Sequence, residues 1–481
     1  MEGFQGFADF YGQTQLHPLA LSAVILLAFL VLAVPRRFAL APLLVAATTL
    51  PMAQRVVIAG ADFTMIRLLL LAYLLRFVFR GEWRAFTWNR LDTAVILWAM
   101  AGTVIMTLHY GTADVLVNRL GWSYDIILGY FAGRVLLRGW GDVLGIAKMV
   151  AIISIPVAAI FLYEWTTQYN LFHVFGGVPE FTGVRDGRVR CRGPFSHPII
   201  AGTFWAAMLP LIWMLWSGEQ RSRNLALVGT VSAFTIIAAT ASSTPLLSAM
   251  AAVGGAALFA LRHRRTQMWV GLIAVLFVLH FFVMQAPVWH LISRVDLVGG
   301  STGWHRYVIL DTFINRFSDW YLTGYATPTD WRWEMRDITN EFILQGLGGG
   351  LLTLTIFVLV LVFAFGNVGR RLAQIDEQSS RGDAALEWKI WMVGVMMFVH
   401  VATFTGLSYF GQMNILWYLQ LAMAGSVGAG LVGAMAVVAN PNPSRRRRSP
   451  SFVGNYPPET SDSPGFVGYT GARPRGLGKR A

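Results

Sequence analysis

One cysteine, Cys191, stands in 481 residues. It excludes an internal disulfide and any Cys-rich zinc or iron–sulfur site. Charge is scarce as well. Asp, Glu, Lys and Arg make up 13% of the chain, against roughly 25% in an ordinary soluble protein. That density cannot coat a soluble body of this size, so a cytosolic enzyme is excluded. Lysine is nearly missing, since Lys148, Lys389 and Lys479 are the only ones among 38 basic residues. No Walker A pattern, no Asp-x-Asp and no histidine pair at metal-ligand spacing occurs. The signatures of nucleotide hydrolysis and of metal–nucleotide-sugar chemistry are therefore lacking. No cofactor, no metal and no nucleic-acid partner is expected. The apolar runs also lack the row of acids that a proton-driven carrier would use.

What is present is apolar. The hydrophobic fraction is 55% and the mean hydropathy is +0.54. A spanning helix needs about 20 such residues. The runs are continuous rather than alternating, which points to helices and not barrel strands. The expected fold class is all-α: a polytopic integral membrane protein with 12–13 transmembrane helices. Spans are expected near 17–35, 38–53, 62–79, 91–109, 121–137, 142–163, 197–217, 225–241, 244–261, 268–286, 341–366, 390–408 and 414–438. The second is short, which makes the count 12 or 13. Lys148 falls inside a span and is expected to snorkel toward an interface.

Basic residues flank alternate ends: Arg36 and Arg37, Arg80 and Arg84, Arg138, Arg221 and Arg223, Arg262 to Arg265, Arg370 and Arg371, and Arg445 to Arg448. With 13 spans they share the cytoplasmic side, which leaves the N-terminus outside. With 12, the N-terminus moves inside and the later topology stays. Met1 to Leu16 has no Lys or Arg, so no cleavable signal peptide is expected.

The chain divides into an N-terminal bundle (1–163), a core (164–366), a cytoplasmic loop with the last helices (367–439), and a basic tail (440–481) expected to be disordered. The tail holds the similar pieces Phe452-Val453-Gly454 and Phe466-Val467-Gly468. Two long loops, 164–196 and 286–340, lie on the outer side and are arginine-rich against the positive-inside rule. Such a cluster suits an anionic ligand at the membrane–water interface. Within the second loop, Ile309, Leu310, Phe313, Ile314, Phe317, Trp320 and Tyr321 recur at three- and four-residue spacing. They predict a helix lying apolar face down on the interface, capped by Ser301 or Thr302, with Arg306 in its first turn. Trp320, Tyr321, Trp331 and Trp333 suit an aromatic interface belt or stacking on sugars.

The sharpest local pattern is Arg190-Cys191-Arg192-Gly193-Pro194-Phe195-Ser196-His197-Pro198, followed by an apolar run. A basic loop turns at Gly-Pro, and proline suits the first turn of the helix that follows. His197 is expected to cap that helix. The segment resembles the Arg-x-x-Gly-x-Phe-x-His-Pro-Asn signature of the O-antigen ligase and O-antigen polymerase superfamily, with Ile199 in the Asn place. Glu164 to Gly177 resembles the preceding segment of exopolysaccharide-associated members. Trp304-His305-Arg306, Asp337 to Phe342 and Gly348 to Leu352 resemble the family's later elements. The likeness covers about residues 160 to 360.

The resemblance implies a metal-independent, glycosyltransferase C-like enzyme in the bacterial cytoplasmic membrane, serving O-antigen or exopolysaccharide assembly. The implied donor is a glycan on undecaprenyl pyrophosphate, and the acceptor a glycan, lipid or protein. Membrane lipids and other polysaccharide export components are the further partners. Arg190 matches the family's first essential arginine and Arg306 the second. Thr339 stands where the family has its histidine, and threonine is no general base near neutral pH. The substitutes in reach are Glu164, Asp337, Glu341 and His305, with Glu164 and Asp337 ranked first. Arg188, Arg192, His197, His305, Arg336 and Asn340 are the expected substrate-binding residues. Two other classes stay open: a polysaccharide-related transporter or translocase, and a non-catalytic scaffold of an export machine.

Overall fold

The computed structural model describes residues 13–58, 60–285, 287–294, 303–378 and 383–429. The expectations for Ser301, Thr302, the 430–438 end of the last span and the tail 440–481 lie outside the described residues. The described chain is an all-α polytopic membrane protein. Among the described residues, seven helices are long and apolar enough to cross a membrane: Arg90–Tyr110, Trp140–Thr167, Pro198–Ser217, Gln220–Ala239, Ser243–Val283, Gly350–Glu377 and Ala384–Phe404.

Helices α1 (Pro18–Ala33), α2 (Ala41–Thr49), α3 (Met65–Arg80), α4 (Arg90–Tyr110), α5 (Ala113–Leu136) and α6 (Trp140–Thr167) form the first half. α7 (Pro198–Trp213), α8 (Gln220–Ala239), α9 (Ser243–Ala257) and α10 (Arg265–Val278) follow. α11 (Gly303–Asn315), α12 (Phe317–Trp320) and α13 (Glu341–Leu347) lie in and after the second long loop. α14 (Gly350–Gln378), α15 (Ala384–Phe404) and α16 (Gln412–Gly428) complete the chain. Every expected span coincides with a helix, but several helices fall below the length or apolarity that a crossing needs. α1 and α3 have 16 residues each, about 24 Å of rise against a hydrocarbon thickness of about 30 Å. α2 has nine residues. α5 carries Asp114, Arg119, Asp125 and Arg134.

The longest candidate, 41 residues from Ser243 to Val283, is two legs. Arg262 pairs with Glu387, Trp391 donates to Gly255 O, and Ser248 meets Thr403. α9 therefore runs antiparallel to α15. Arg265 pairs with Asp376, and Trp269 packs on Phe365, which runs α10 antiparallel to α14. Phe357 meets Phe404, and Gly394 lies against Val368, so α14 and α15 are antiparallel too. α9 and α10 thus reverse at the arginines 262–265, as the sequence predicts.

Ion pairs gather one set of helix ends. Arg36 after α1 holds Asp142 of α6 at 2.7 Å, and Arg76 of α3 holds Glu82 at 2.7 Å. Arg134 of α5 holds Asp92 of α4 at 2.8 Å, and Tyr130 donates to the same carboxylate at 2.6 Å. This basic end is the one the arginine flanks predict. Breaking a buried pair of this kind costs about 3–5 kcal/mol, because a lone charge is left in the interior. Lys148 is exposed on the outside of the bundle. His400, wholly buried, bridges Tyr409 and Gln420.

The opposite end carries both long loops and a hairpin where the sequence predicts only helix ends and a loop. β1 (Arg55–Ile58) pairs with β2 (Ala61–Thr64), and Gly60 takes the positive φ that its tight turn needs. The expected span 62–79 loses its first residues to that strand. The expected span 341–366 is divided as well. α13 ends at Gly348, and Gly350, at φ +70, turns the chain into α14. A Cβ at Gly346 would lie 2.5 Å from the Phe313 ring, so that glycine permits close packing.

The loop helix differs from expectation in its partner. It breaks at Arg316 into α11 and α12. Ile309, Phe313 and Trp320 pack with Met335, Ile343 and Leu347 into a small core of their own. Much of the apolar face is therefore satisfied by protein, while Ile314, Phe317 and Trp333 stay exposed.

Candidate functional site

The site grows from the segment 164–198. Glu164, at the end of α6, is completely buried. Its carboxylate accepts from Thr182 Oγ1 at 2.6 Å and from the backbone N–H groups of Arg192 and Gly193, each at 2.9 Å. Asn170 donates to Gly193 O at 2.8 Å. Gly193 sits at φ +54 against the Phe161 ring, where a side chain would collide. Gln412 of α16 donates to Pro194 O at 3.0 Å. The basic turn is thus fixed from three elements. Three donors occupy the Glu164 carboxylate, which makes it a positioning group for Arg190 to Gly193.

Ahead of the turn stands a second hairpin, β3 (Val184–Arg185) and β4 (Arg188–Val189). Asp186 and Gly187 both have positive φ, the pattern of a two-residue turn. Arg185 and Arg188 face each other across it. Like charges placed so oppose each other. Arg185, Arg190 and Arg192 all press on His197, and burial is the larger cause of its pKa being lowered to about 4. His197 is therefore neutral. Its Nδ1 accepts from Ile199 N at 3.2 Å, which caps α7 at Pro198 as expected.

The two matched arginines meet at the start of α9. Arg190 Nη2 donates to Ser242 Oγ at 2.7 Å. Arg306 Nη2 donates to Thr244 Oγ1 at 2.8 Å. The local fold holds this turn closely, because Cys191 N donates to Ala239 O and Gly202 of α7 leaves no room for a Cβ beside Thr240 and Pro245. Arg306 is 8% exposed. Among the described residues, the Nε of Arg190 and of Arg306 has no hydrogen-bond partner. Among the described residues, no carboxylate forms an ion pair with either. Burial lowers the pKa of both, and Arg185 adds to the effect at Arg190.

The second loop supplies the other wall. Arg306 lies against Gly406. Asn340 donates to Thr405 O at 3.2 Å, and its Oδ1 caps α13. His305, next to Arg306, places Nε2 2.8 Å from Asp337 O. Asp337 and Arg336 are exposed, and Arg336 lies over the Trp333 ring. Glu341 points elsewhere, accepting from Tyr409 N and Gln345 Nε2, each at 2.8 Å. Of the expected residues, Arg190, Arg192, His197, Arg306, His305 and Asn340 thus frame one region. Arg188 stands on the hairpin at its rim. Glu341 belongs to a neighbouring cavity.

Ser242 and Thr244 were missed in sequence. Their signal was present in Ser242-Ser243-Thr244-Pro245, a capping run with proline in the first helical turn. No protein-family model matches the chain, and no curated protein matches it.

Proposed function

We propose that the chain is a membrane glycosyltransferase of the O-antigen ligase or polymerase type. It moves a glycan from a polyprenyl pyrophosphate to an acceptor hydroxyl at the outer face of the cytoplasmic membrane. The basic ends and the tail then face the cytoplasm. The observation that carries this is the pair Arg190, half-buried, and Arg306, buried, with no carboxylate in an ion pair with either among the described residues. A buried cation without a counterion is costly. An anionic ligand offsets that cost, and guanidinium forks suit phosphate oxygens.

The chemistry follows from where charge develops. The bond from the anomeric carbon to the phosphate oxygen breaks, and the electron pair leaves on the lipid pyrophosphate. Arg190 and Arg306 stabilise that charge, an effect worth about 3–4 kcal/mol for one well-placed donor. The acceptor oxygen bonds to the anomeric carbon and gives up its proton. His305 takes the proton: when Nε2–H donates to Asp337 O, Nδ1 is left as the base. It stands beside the segment where Thr339 replaces the family's histidine. Asp337 orients it, and Glu164 holds the arginine turn.

The test is mass spectrometry of lipid-linked saccharides in cells lacking the chain and in cells carrying Arg190→Ala. Build-up of single repeat units in both assigns a polymerase, and build-up of long lipid-linked chains assigns a ligase. Unchanged pools would refute glycosyl transfer.

A further inference from the structure

Beside the arginine site is a cavity of about 930 Å³ that no residue of the basic turn lines. Its walls come from β1–β2, α4, α5, α13 and α16, so the packed fold alone creates it. Two of its three cations are matched, and the third, Arg119, forms no ion pair among the described residues and lies over the Trp122 ring. Arg55 pairs with Asp62 at 3.1 Å, and Arg67 grips both oxygens of Asp125 at 2.8 and 2.6 Å. At the arginine site, by contrast, no carboxylate forms an ion pair with Arg190 or Arg306 among the described residues. Asp62, Asp114, Asp125 and Glu341 outnumber Arg55, Arg67 and Arg119 in the lining, so the cavity does not select an anion.

Two further features point to the ligand's chemistry. Trp122, Tyr325 and Phe410 line the cavity and are only partly buried, so ring surface is open to it. A fixed polar chain runs along another wall. Trp98 Nε1 donates to Gln345, Gln345 donates to Glu341, and Tyr409 N donates to Glu341. Trp417 and Thr353 line the cavity, and among the described residues the indole N–H and the hydroxyl have no hydrogen-bond partner. Among the described residues, no hydrogen bond uses the side chains of Asn118 and Asn414, which also line it. Aromatic faces with spare donors and acceptors suit a polyhydroxylated ring.

Only a thin partition separates the two sites. Ile338, Glu341 and Phe404 line the cavity. On the same segments, Asp337 O holds His305, and Gly406 lies against Arg306. We propose that this cavity seats uncharged pyranose units of the glycan, next to the point where the diphosphate is held. The glycan's presence rests on the glycosyl-transfer reading. The cavity's affinity for it can be measured without any transfer.

The probe is the oligosaccharide released by mild acid from the cell's own lipid-linked pool, free of diphosphate. Binding is measured on the purified full chain in lipid nanodiscs. Wild type and Arg190→Ala should bind it equally. Trp122→Ala should bind about ten-fold more weakly. Trp122 also packs on Trp98 and Gly102, so a gentler pair accompanies it. Asn118→Ala and Asn414→Ala should each weaken binding about three- to ten-fold with unchanged melting temperature. A glycan cut from the finished surface polysaccharide, run beside the first, separates an acceptor seat from a donor seat by which probe binds more tightly. Absence of binding to wild type by both probes at millimolar concentration overturns the proposal. Binding that all three cavity variants leave intact overturns it equally. Neither result touches the lipid-linked pools of Arg190→Ala, which decide the transfer reaction separately.

Discussion

Arg306 donates to Thr244 Oγ1 at 2.8 Å, two residues beyond the Ser242 hydroxyl that receives Arg190 at 2.7 Å. One helix start thus sets the spacing of two cations drawn from different loops. The hydroxyls are neutral acceptors, so they aim the guanidiniums without discharging them. A carboxylate in either place would compete with the ligand.

Ser242→Ala and Thr244→Ala should each slow transfer about five- to ten-fold, the worth of roughly one hydrogen bond. The double variant should be slower than either. Arg190→Lys should rescue little, because a point charge cannot reproduce the fork. The accumulated lipid-linked donor measures all four. Equal pools in wild type and the double variant would remove these hydroxyls from the site.

Glu164→Ala leaves the buried N–H groups of Arg192 and Gly193 without their acceptor. Each such loss costs about 1–3 kcal/mol. Thermal unfolding in detergent should therefore show Glu164→Ala clearly below wild type, with Glu164→Gln between them. The pH profile of Glu164→Gln should match that of wild type, since the group positions and does not take the proton. A lost alkaline or acid limb in that variant would restore Glu164 as the base.

His197 has its folded pKa lowered to about 4, chiefly by burial and then by Arg190, Arg192 and Arg185. The unfolded chain therefore binds the extra proton first. Between about pH 6.5 and 4, stability should fall as the medium becomes more acid, and the loss is complete below that window. His197→Asn should flatten this part of the melting-temperature curve. The groups facing the ring are cations, so no carboxylate partner reverses the sign.

The order of helices was legible because arginine marks their ends. Arg262 to Arg265 divided α9 from α10 correctly even though the helical run is unbroken. The hairpin Arg55–Thr64 was not legible, because its strands have four residues each and abut apolar helices. The Asp186-Gly187 turn carries a readable signal, because an Asp-Gly pair favours a two-residue hairpin turn. That Arg190 and Arg306 belong together was suggested by motif and loop position, and the structure brings both to the start of α9. The fate of Glu164 was not legible, since two of its three donors are backbone N–H groups that have no residue identity. The cavity draws on helices hundreds of positions apart, and no local pattern encodes that.

Asp92 lies at the opposite end of the bundle, where it takes Arg134 and the Tyr130 hydroxyl together. Asp92→Ala strands a guanidinium that is 3% exposed. The expected loss is about 3–5 kcal/mol, read as a large drop in melting temperature. Asp92→Ala with Arg134→Met should recover part of it, because the stranded charge is gone.

The lone cysteine offers a direct test of sidedness. Cys191 is buried, and burial, with Glu164 near it, pushes its thiol pKa up. The thiolate is the reactive form, so the wild-type chain should be silent to a membrane-impermeant maleimide. Val184 on the loop-end hairpin is 51% exposed, and Arg221 at the basic end is exposed. V184C should label in intact cells, and R221C only after the membrane is opened. The reverse pattern would put the arginine site in the cytoplasm, where undecaprenyl-linked glycans awaiting transfer at the outer face are out of reach. That outcome would refute the proposed reaction even if both arginines proved essential, because the charge they stabilise would have to belong to another substrate.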